Sequence, residues 1–486
     1  MPIHYTVTET TPLPVRSSGD TSAHGATFVE TNVPFVAGSP IYGFIPSNFR
    51  VFTSGTGTTS VSNQMFNTAS GTSLGDYGTI QSLRSINYKT GSSAVIRVAG
   101  YFSTPQASSW MGMGAFTLGD ELSFGYNGLD FGVWHRHNGK AEVRTFEVTG
   151  AAGGSENATV TVNGVAHTVP LTNATVQTNA QEIAAYIDAN DANFSAEQLD
   201  DTVIVSALSD GAKSNTWSFS SSTATATVAQ VTEGVTKTSD HVTQENWNGE
   251  EVEGFDPAMG QNYEIRYSNG FGMIEFLVED TVRQRYVSVH VIKWPNTSTA
   301  ANLGNPSLRV GCYATALGTI TSVDVHCAYL AGFVSHMGAK VRNPRGVSHT
   351  KSIGTTETNL LTIHNKRIYN GVINQAEIEP LNLSLSNDGT KSAVFRLVAN
   401  PTVSGTPNFQ DAGTNLITEI DTAGTTVTGG TELVLFTVAK ASSIDIDLSA
   451  FHIRMPPTLR LVIAAEMTSG SAADLTASIN VYEDTY

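Results

Sequence analysis

The amino-acid sequence predicts a mainly β chain of antiparallel β-sandwiches in series, with one small α+β unit inserted in the first. Three observations predict it. Asn-Gly pairs recur between alternating apolar runs, at Asn127-Gly128, Asn138-Gly139, Asn163-Gly164 and Asn269-Gly270. A type I′ hairpin turn needs φ > 0 at both central residues, and this pair supplies it. Only 14% of residues are charged, against ~25% in ordinary soluble domains, and this polar, uncharged, Thr-rich make-up suits many short strands. One stretch alone, near Asn179–Ala189, carries a clear helical period.

A chain of 486 residues is too long for one core, so about three domains of ~100–200 residues each are expected. The formal net charge is −17. That excludes a nucleic-acid surface, which needs a basic stripe to replace condensed counterions. No apolar run reaches the ~18 residues of a membrane span, so no membrane insertion is expected. The start, MPIHYTVTETTPLPV, lacks the basic and apolar regions of a secretory signal, so synthesis in a cytoplasm is expected. Cys312 and Cys327 read as two buried small apolar residues, because a disulfide needs oxidising conditions and close Cα atoms.

In chain order, residues 1–48 carry six prolines and little periodicity, and form an N-terminal arm with no core of its own. Residues 49–147 and 241–340 make one discontinuous sandwich. Its strands include Ala94–Phe102 and a hairpin at Asn127-Gly128 that pairs Tyr126 with Leu129, Phe124 with Phe131 and Leu122 with Val133. A hairpin at Asn138-Gly139 places His135 opposite Glu142, His137 opposite Lys140 and Trp134 across from Val143. Trp134 then sits on the opposite face from Phe131 and Val133, so either both faces are buried or a bulge intervenes.

Residues 148–240 are the inserted α+β domain. It opens on a hairpin about Asn163-Gly164 and continues with a capping box from Thr178 to Gln181. The helix Asn179–Ala189 follows, with Ile183, Tyr186 and Ile187 on one face, and then strands at Thr202–Ala207 and Thr216–Phe219. Asn248-Gly249 reads as a further hairpin-like turn leading back to the sandwich. There, Asn269-Gly270 pairs Tyr267 with Gly272, Ile265 with Ile274 and Tyr263 with Phe276. Val287, Val289 and Val291 mark a third strand, and Leu308–Leu317 and Val323–Val334 continue the sheets. A boundary loop at Val341–Arg345 precedes the C-terminal sandwich, residues 341–486. Its expected strands are Leu360–Ile363, Ile378–Leu385, Ser392–Val398, Glu432–Thr437, Ile444–Leu448 and Leu459–Glu466.

Three segments resemble virion proteins of tailed phages and other large DNA viruses. They are Met113-Gly-Ala-Phe-Thr-Leu-Gly119 with Phe124-Gly-Tyr-Asn-Gly128 and Phe131-Gly-Val-Trp-His-Arg-His-Asn-Gly-Lys-Ala-Glu-Val143, then Gly272-Met-Ile-Glu-Phe-Leu-Val-Glu-Asp280 with Val289-His-Val-Ile292 and Asn305-Pro306, and Ser352-Ile-Gly-Thr-Thr-Glu-Thr-Asn-Leu-Leu-Thr-Ile-His-Asn365. The resemblance implies jelly-roll or lectin-like sandwiches in a structural protein of the particle: a tail fibre or surface appendage concerned with assembly and host attachment. A capsid decoration or vertex protein is the alternative. The implied partners are further copies of the chain, as a homotrimer, other virion proteins and host-surface glycans, in a virion assembled in the host cytoplasm. The resemblance supplies no catalytic residue and no cofactor.

Three constellations could carry chemistry. His135 and His137 share a strand face and could ligate a metal, but a hydrogen-bonded surface ladder accounts for them equally, and no metal site is expected. Glu275 and Glu279 share a face like the carboxylates of a polysaccharide-degrading enzyme. Residues four apart on a strand stand ~13 Å apart, beyond the ~5–9.5 Å of glycoside hydrolysis. Glu245, Glu250, Glu251, Glu253 and Asp256 surround Trp247, but their spacing matches no EF-hand loop, and a solvated acidic loop is expected. No nucleophile elbow, phosphate loop or Cys-x-x-Cys occurs. A non-enzymatic protein is therefore expected, with a polysaccharide-binding or -degrading protein as the alternative class.

Overall fold

The computed structural model describes residues 34–483 apart from 47, 87, 89–90, 173–174, 336–343 and 406. Strands hold 56% of the residues and helix 5%, which meets the mainly β expectation with one short helix. Most of the expected N-terminal arm, and the boundary loop as far as Asn343, lie outside the described residues.

Two antiparallel sheets face one another in the first sandwich. One runs Arg285–Ile292, Ile274–Asp280, Gln261–Tyr267, Ser93–Phe102, Asp324–Ser335, Met65–Ala69, Thr58–Ser62, with Pro34–Gly38 added along Asp324–Ser335. The other runs Thr238–Thr243, Asp130–His137, Glu121–Asn127, Ser109–Phe116, Arg309–Ala316, Tyr77–Ser82, Phe49–Ser54. Alternate residues of each strand point between the sheets, as the period of two requires. Phe124 there packs against Tyr263 at 4.7 Å and Phe276 at 5.5 Å between ring centres. Cys312 and Cys327 are buried free thiols within this core. Burial and the neighbouring Cys312 push the Cys327 thiol up.

The hairpins keep the expected faces but not the expected registers. At Asn127-Gly128 the pairs are Tyr126 with Phe131, Phe124 with Val133 and Leu122 with His135. Only Gly128 of the turn has positive φ, 63°. It therefore opens a two-residue loop, Gly128-Leu129, of the kind that needs Gly first. Asn127 stays a strand residue, paired with Asp130 and accepting a 2.9 Å bond from Trp110 Nε1. At Asn269-Gly270 the pairs are Tyr267 with Ile274, Ile265 with Phe276 and Tyr263 with Val278. The longer loop is clamped by Asn302, whose amide donates to the Ser268 and Gly272 carbonyls.

The hairpin expected at Asn138-Gly139 does not form. Asn138 has φ 63° but Gly139 has none of the positive φ that a type I′ turn demands. The chain instead leaves the sandwich here. Strand Asp130–His137 pairs on that side with Thr238–Thr243, where the chain returns. Ala141–Gly150 joins Thr202–Asp210 and Thr225–Thr232 in a different sheet. Trp134 is buried on the outer face, with the Arg136 guanidinium 3.8 Å and the His241 ring 4.3 Å from it. Both faces are therefore covered there. Asn248-Gly249 is not a turn either: the Asn248 side chain bonds both backbone groups of Val291 and docks the loop on strand Arg285–Ile292.

Between those strands, Phe194–Leu199, Thr202–Asp210, Ala141–Gly150 and Thr225–Thr232 form one sheet, and Val165–Leu171, Glu156–Val162 and Ser218–Ser220 a second. Asn163-Gly164 is the expected two-residue turn, with φ 48° and 87° and Val162 paired to Val165. The helix is Val176–Asn190, and its cap is Thr175 rather than Thr178: the Thr175 hydroxyl accepts from Thr178 N. Asn179 is inside the first turn and buried, bonding Ala152 N and Thr172 O. Ile183 and Ile187 seat the helix on a core with Phe146, Val160 and Val205.

The last core lies between Pro344–Ile353, Ala473–Glu483, Ile378–Asn387, Ser442–Asp447 and a six-stranded sheet. That sheet contains Thr358–Asn365, Arg460–Met467, Ala393–Ala399 and Thr431–Val438. The loop Lys366–Glu377 ties this sandwich to the others. Arg84 makes two bonds to Glu377 of 3.0 and 3.2 Å, and the Glu197 carboxylate accepts from the Arg367 and Ile368 amides.

Candidate functional site

Strand Asp130–His137 carries Phe131, Val133, His135 and His137 on its inner face, and the apolar core gives out at its C-terminal end. The two histidines are buried there, 2% and 7% exposed, so the expected surface ladder is replaced by an enclosed pair. Their rings stack at 4.4 Å, and Trp294 meets both edge-on at 5.3 Å. His135 lies opposite Asp240 of the returning strand, not Glu142, and His137 lies opposite Thr238, not Lys140. Asp240 Oδ2 is 3.9 Å from His137 Nε2.

The surrounding bonds orient both rings. His135 Nε2 lies 2.7 Å from the Asn302 carbonyl oxygen, which can only accept, so this nitrogen carries the proton and Nδ1 the lone pair. His137 Nδ1 is 2.7 Å from the Asn138 side-chain amide. Burial drives the His135 imidazole down to about 4 and lowers His137 as well, so both rings are neutral at pH 7. Asp240, Trp294 and Asn302 were invisible to sequence reasoning. Their approach depends on which strand borders Asp130–His137, and the inserted unit separates Asp240 from the pair in sequence.

A cleft of about 700 Å³ opens at the other end of the same strand. Trp247, Phe255, Phe131 and Tyr126 supply aromatic walls, and Glu245, Glu250 and Glu251 supply carboxylates. The acidic loop seen in the sequence is thus solvated, as expected, but it rims a concavity. Trp247 is held by Nε1 donating to the Val242 carbonyl and by edge contacts with Phe124 and Phe131. Glu250 stands 3.6 Å from Arg283 and 3.7 Å from Arg285. Asp256 closes its own turn by accepting from Ala258 N.

Glu275 and Glu279 do not converge on anything catalytic. Both lie on the outer face, Glu275 3.8 Å from Arg266 and Glu279 accepting from Asn262. A further buried polar group joins two units. Glu197 lies close enough to His364 and Glu419 to perturb them electrostatically, and His364 Nδ1 is 2.9 Å from Glu419 Oε2.

No family model matches the chain, and no curated protein matches it. Solved structures with some likeness come from viruses. One describes the triple jelly roll fold and turret assembly in an archaeal virus: 10% identity, 94% of this chain and 98% of that chain covered, TM-score 0.18. A second is the atomic structure of Sulfolobus Turreted Icosahedral Virus: 10% identity, 91% and 93% covered, TM-score 0.17. A third is the T13 particle of IBDV: 10% identity, 80% and 69% covered, TM-score 0.14. Scores this low do not establish a shared arrangement of strands.

Proposed function

We propose that this chain is a structural protein of a virus particle, carried on a surface appendage, and that the cleft beside Trp247 takes a neutral host-surface glycan. The particle role rests on the three motifs that resemble virion proteins. Their residues build the fold: a Cβ at Gly125 or Gly132 would collide with the backbone of the neighbouring strand. They are a signature of packing, as a structural protein requires. The chain works as a symmetric homo-oligomer, a trimer, alongside other virion proteins and assembled in the host cytoplasm. Closed symmetry is the default for homo-oligomers.

The cleft carries the glycan reading. Its volume falls within the ~300–1,000 Å³ of small-ligand sites. Sugar rings present apolar C–H faces that pack on aromatic walls, and hydroxyls that donate to carboxylates. A lining with Asp130, Glu245, Glu250 and Glu251 disfavours sulfated or uronic chains by like-charge repulsion. Calorimetric titration with neutral and with uronic oligosaccharides checks this. Glu245 and Glu251 are exposed, so the double variant Glu245→Lys, Glu251→Lys keeps the fold. The neutral sugars bind the native protein and lose at least about tenfold in affinity to the double variant, a step of ~1.4 kcal/mol. Neutral sugars that bind neither protein, or both equally, rule out the cleft as a glycan site.

A further inference from the structure

We propose that His135, His137 and Asp240 form a mononuclear Zn²⁺ site that pins the returning strand Thr238–Thr243 to the sandwich. One donor atom from each of the three residues lies within 4.8 Å of those of the other two. The backbone sets this up. Two histidines two apart on one strand face, with a carboxylate directly across on the next strand, deliver three ligands from rigid elements. Zinc takes such N and O donors at ~2.0–2.2 Å, so tetrahedral donors stand roughly 3.3 Å apart. The 3.9 Å between His137 Nε2 and Asp240 Oδ2 needs only a small contraction. Asp240 can make it, because its side chain is 57% exposed.

The outer bonds are those a metal site uses. A ligating histidine donates its other ring N–H to a carbonyl or carboxylate, and His135 Nε2 does so to Asn302. That leaves Nδ1 for the ion. Asn138 performs the same office for His137 once its amide oxygen, rather than its nitrogen, faces Nδ1. The two orientations differ by a flip of the amide that gives up the long 3.4 Å bond from Asn138 Nδ2 to the Ala301 carbonyl, and the change frees Nε2 on the side of Asp240. Trp294 closes the face over both rings, while the exposure of Asp240 leaves the fourth position to water. Two imidazoles with a single carboxylate select zinc and its first-row neighbours over Ca²⁺ and Mg²⁺, which prefer all-oxygen shells.

The test uses the full chain stripped with a chelator, then titrated with ZnCl₂ in a calorimeter and with CoCl₂ in a spectrophotometer. The expected result is one equivalent of Zn²⁺ per chain, visible bands of a low-symmetry Co²⁺ site, and a rise in thermal midpoint with zinc. Asp240→Asn and His137→Gln weaken zinc binding at least about tenfold, the least seen when even an outer-shell partner is lost. Their metal-free melts match the metal-free native melt. Absence of saturable one-to-one binding in the native chain overturns the proposal. So does binding of native strength in both variants, which places the ion elsewhere.

Discussion

Glu419 and His364 form a 2.9 Å pair against Glu197, Lys366, Asp411 and Arg460, where two units meet. Burial, reinforced by Asp411, pushes the Glu419 carboxyl up to about 8 from its ordinary 4.5. Burial likewise pulls His364 down to about 4 from 6.5. The two shifts act oppositely on stability. A raised carboxyl gives stability that is complete below pH 4.5 and is lost as pH climbs through about 8. A depressed histidine gives stability that is complete above pH 6.5 and is lost as pH falls through about 4. Their effects offset from 4.5 to 6.5, and between pH 6.5 and 8 Glu419 acts alone, with Glu197 shifted the same way by burial. The melt of the C-terminal sandwich therefore drops in midpoint from pH 6.5 to 8, and Glu419→Gln flattens that slope. Calorimetry across this range checks it, and a slope unchanged by the substitution contradicts it. None of this was legible in the sequence, because Glu197 and Glu419 lie in different units. Residue identities alone did reveal His135 and His137 as a pair, but not that the pair is enclosed.

Among the elements, facing was legible and register was not. Phe124, Tyr126, Phe131 and Val133 lie on one face, as alternation indicates, yet each pair is displaced from the expected one. Alternation fixes parity, whereas register follows from which turn residue takes φ > 0. Both Asn163 and Gly164 do, and that hairpin was read correctly; at Asn127-Gly128 only the glycine does. The helix shows the same limit. Its apolar face was plain, but the capping box read from Thr178 to Gln181 lies three residues too late, and the structure uses Thr175. Thr175→Ala consequently destabilises the inserted unit by about 1 kcal/mol, the usual worth of an N-cap hydroxyl. Gln181→Ala, the partner in the expected capping box, changes stability by less than about 0.5 kcal/mol, as surface substitutions do. Urea melts monitored by circular dichroism separate the two. Equal losses would restore Thr178 as the cap.

For the whole molecule, the sequence indicated that two meanders belong to one sandwich interrupted by different texture. Their strands do share two facing sheets and one core. The interruption leaves and re-enters at neighbouring points, because His137 and Thr238 are cross-strand partners. A two-residue turn can therefore span the gap. Replacing residues 138–237 by Asn-Gly leaves a cooperative melt for the first sandwich, with the C-terminal sandwich losing its contacts to Glu197, Asp200 and Thr232. Insoluble protein with no cooperative transition shows instead that the inserted unit completes the main core. The inter-unit bonds through Lys366–Glu377 escaped the sequence because that loop has no periodicity to read.

Self-assembly is what the proposed particle role requires of the chain, and light scattering on the purified chain at tens of micromolar tests it most directly. An obligate interface would bury on the order of 2,000 Å² or more, enough to hold at that concentration. The chain has a mass of 51.5 kDa. A trimer gives a single species about three times that mass, falling to the monomer when residues 1–33 are removed while the melts of the sandwiches persist. A full-length chain that stays at 51.5 kDa, monomeric like the truncated form, contradicts it.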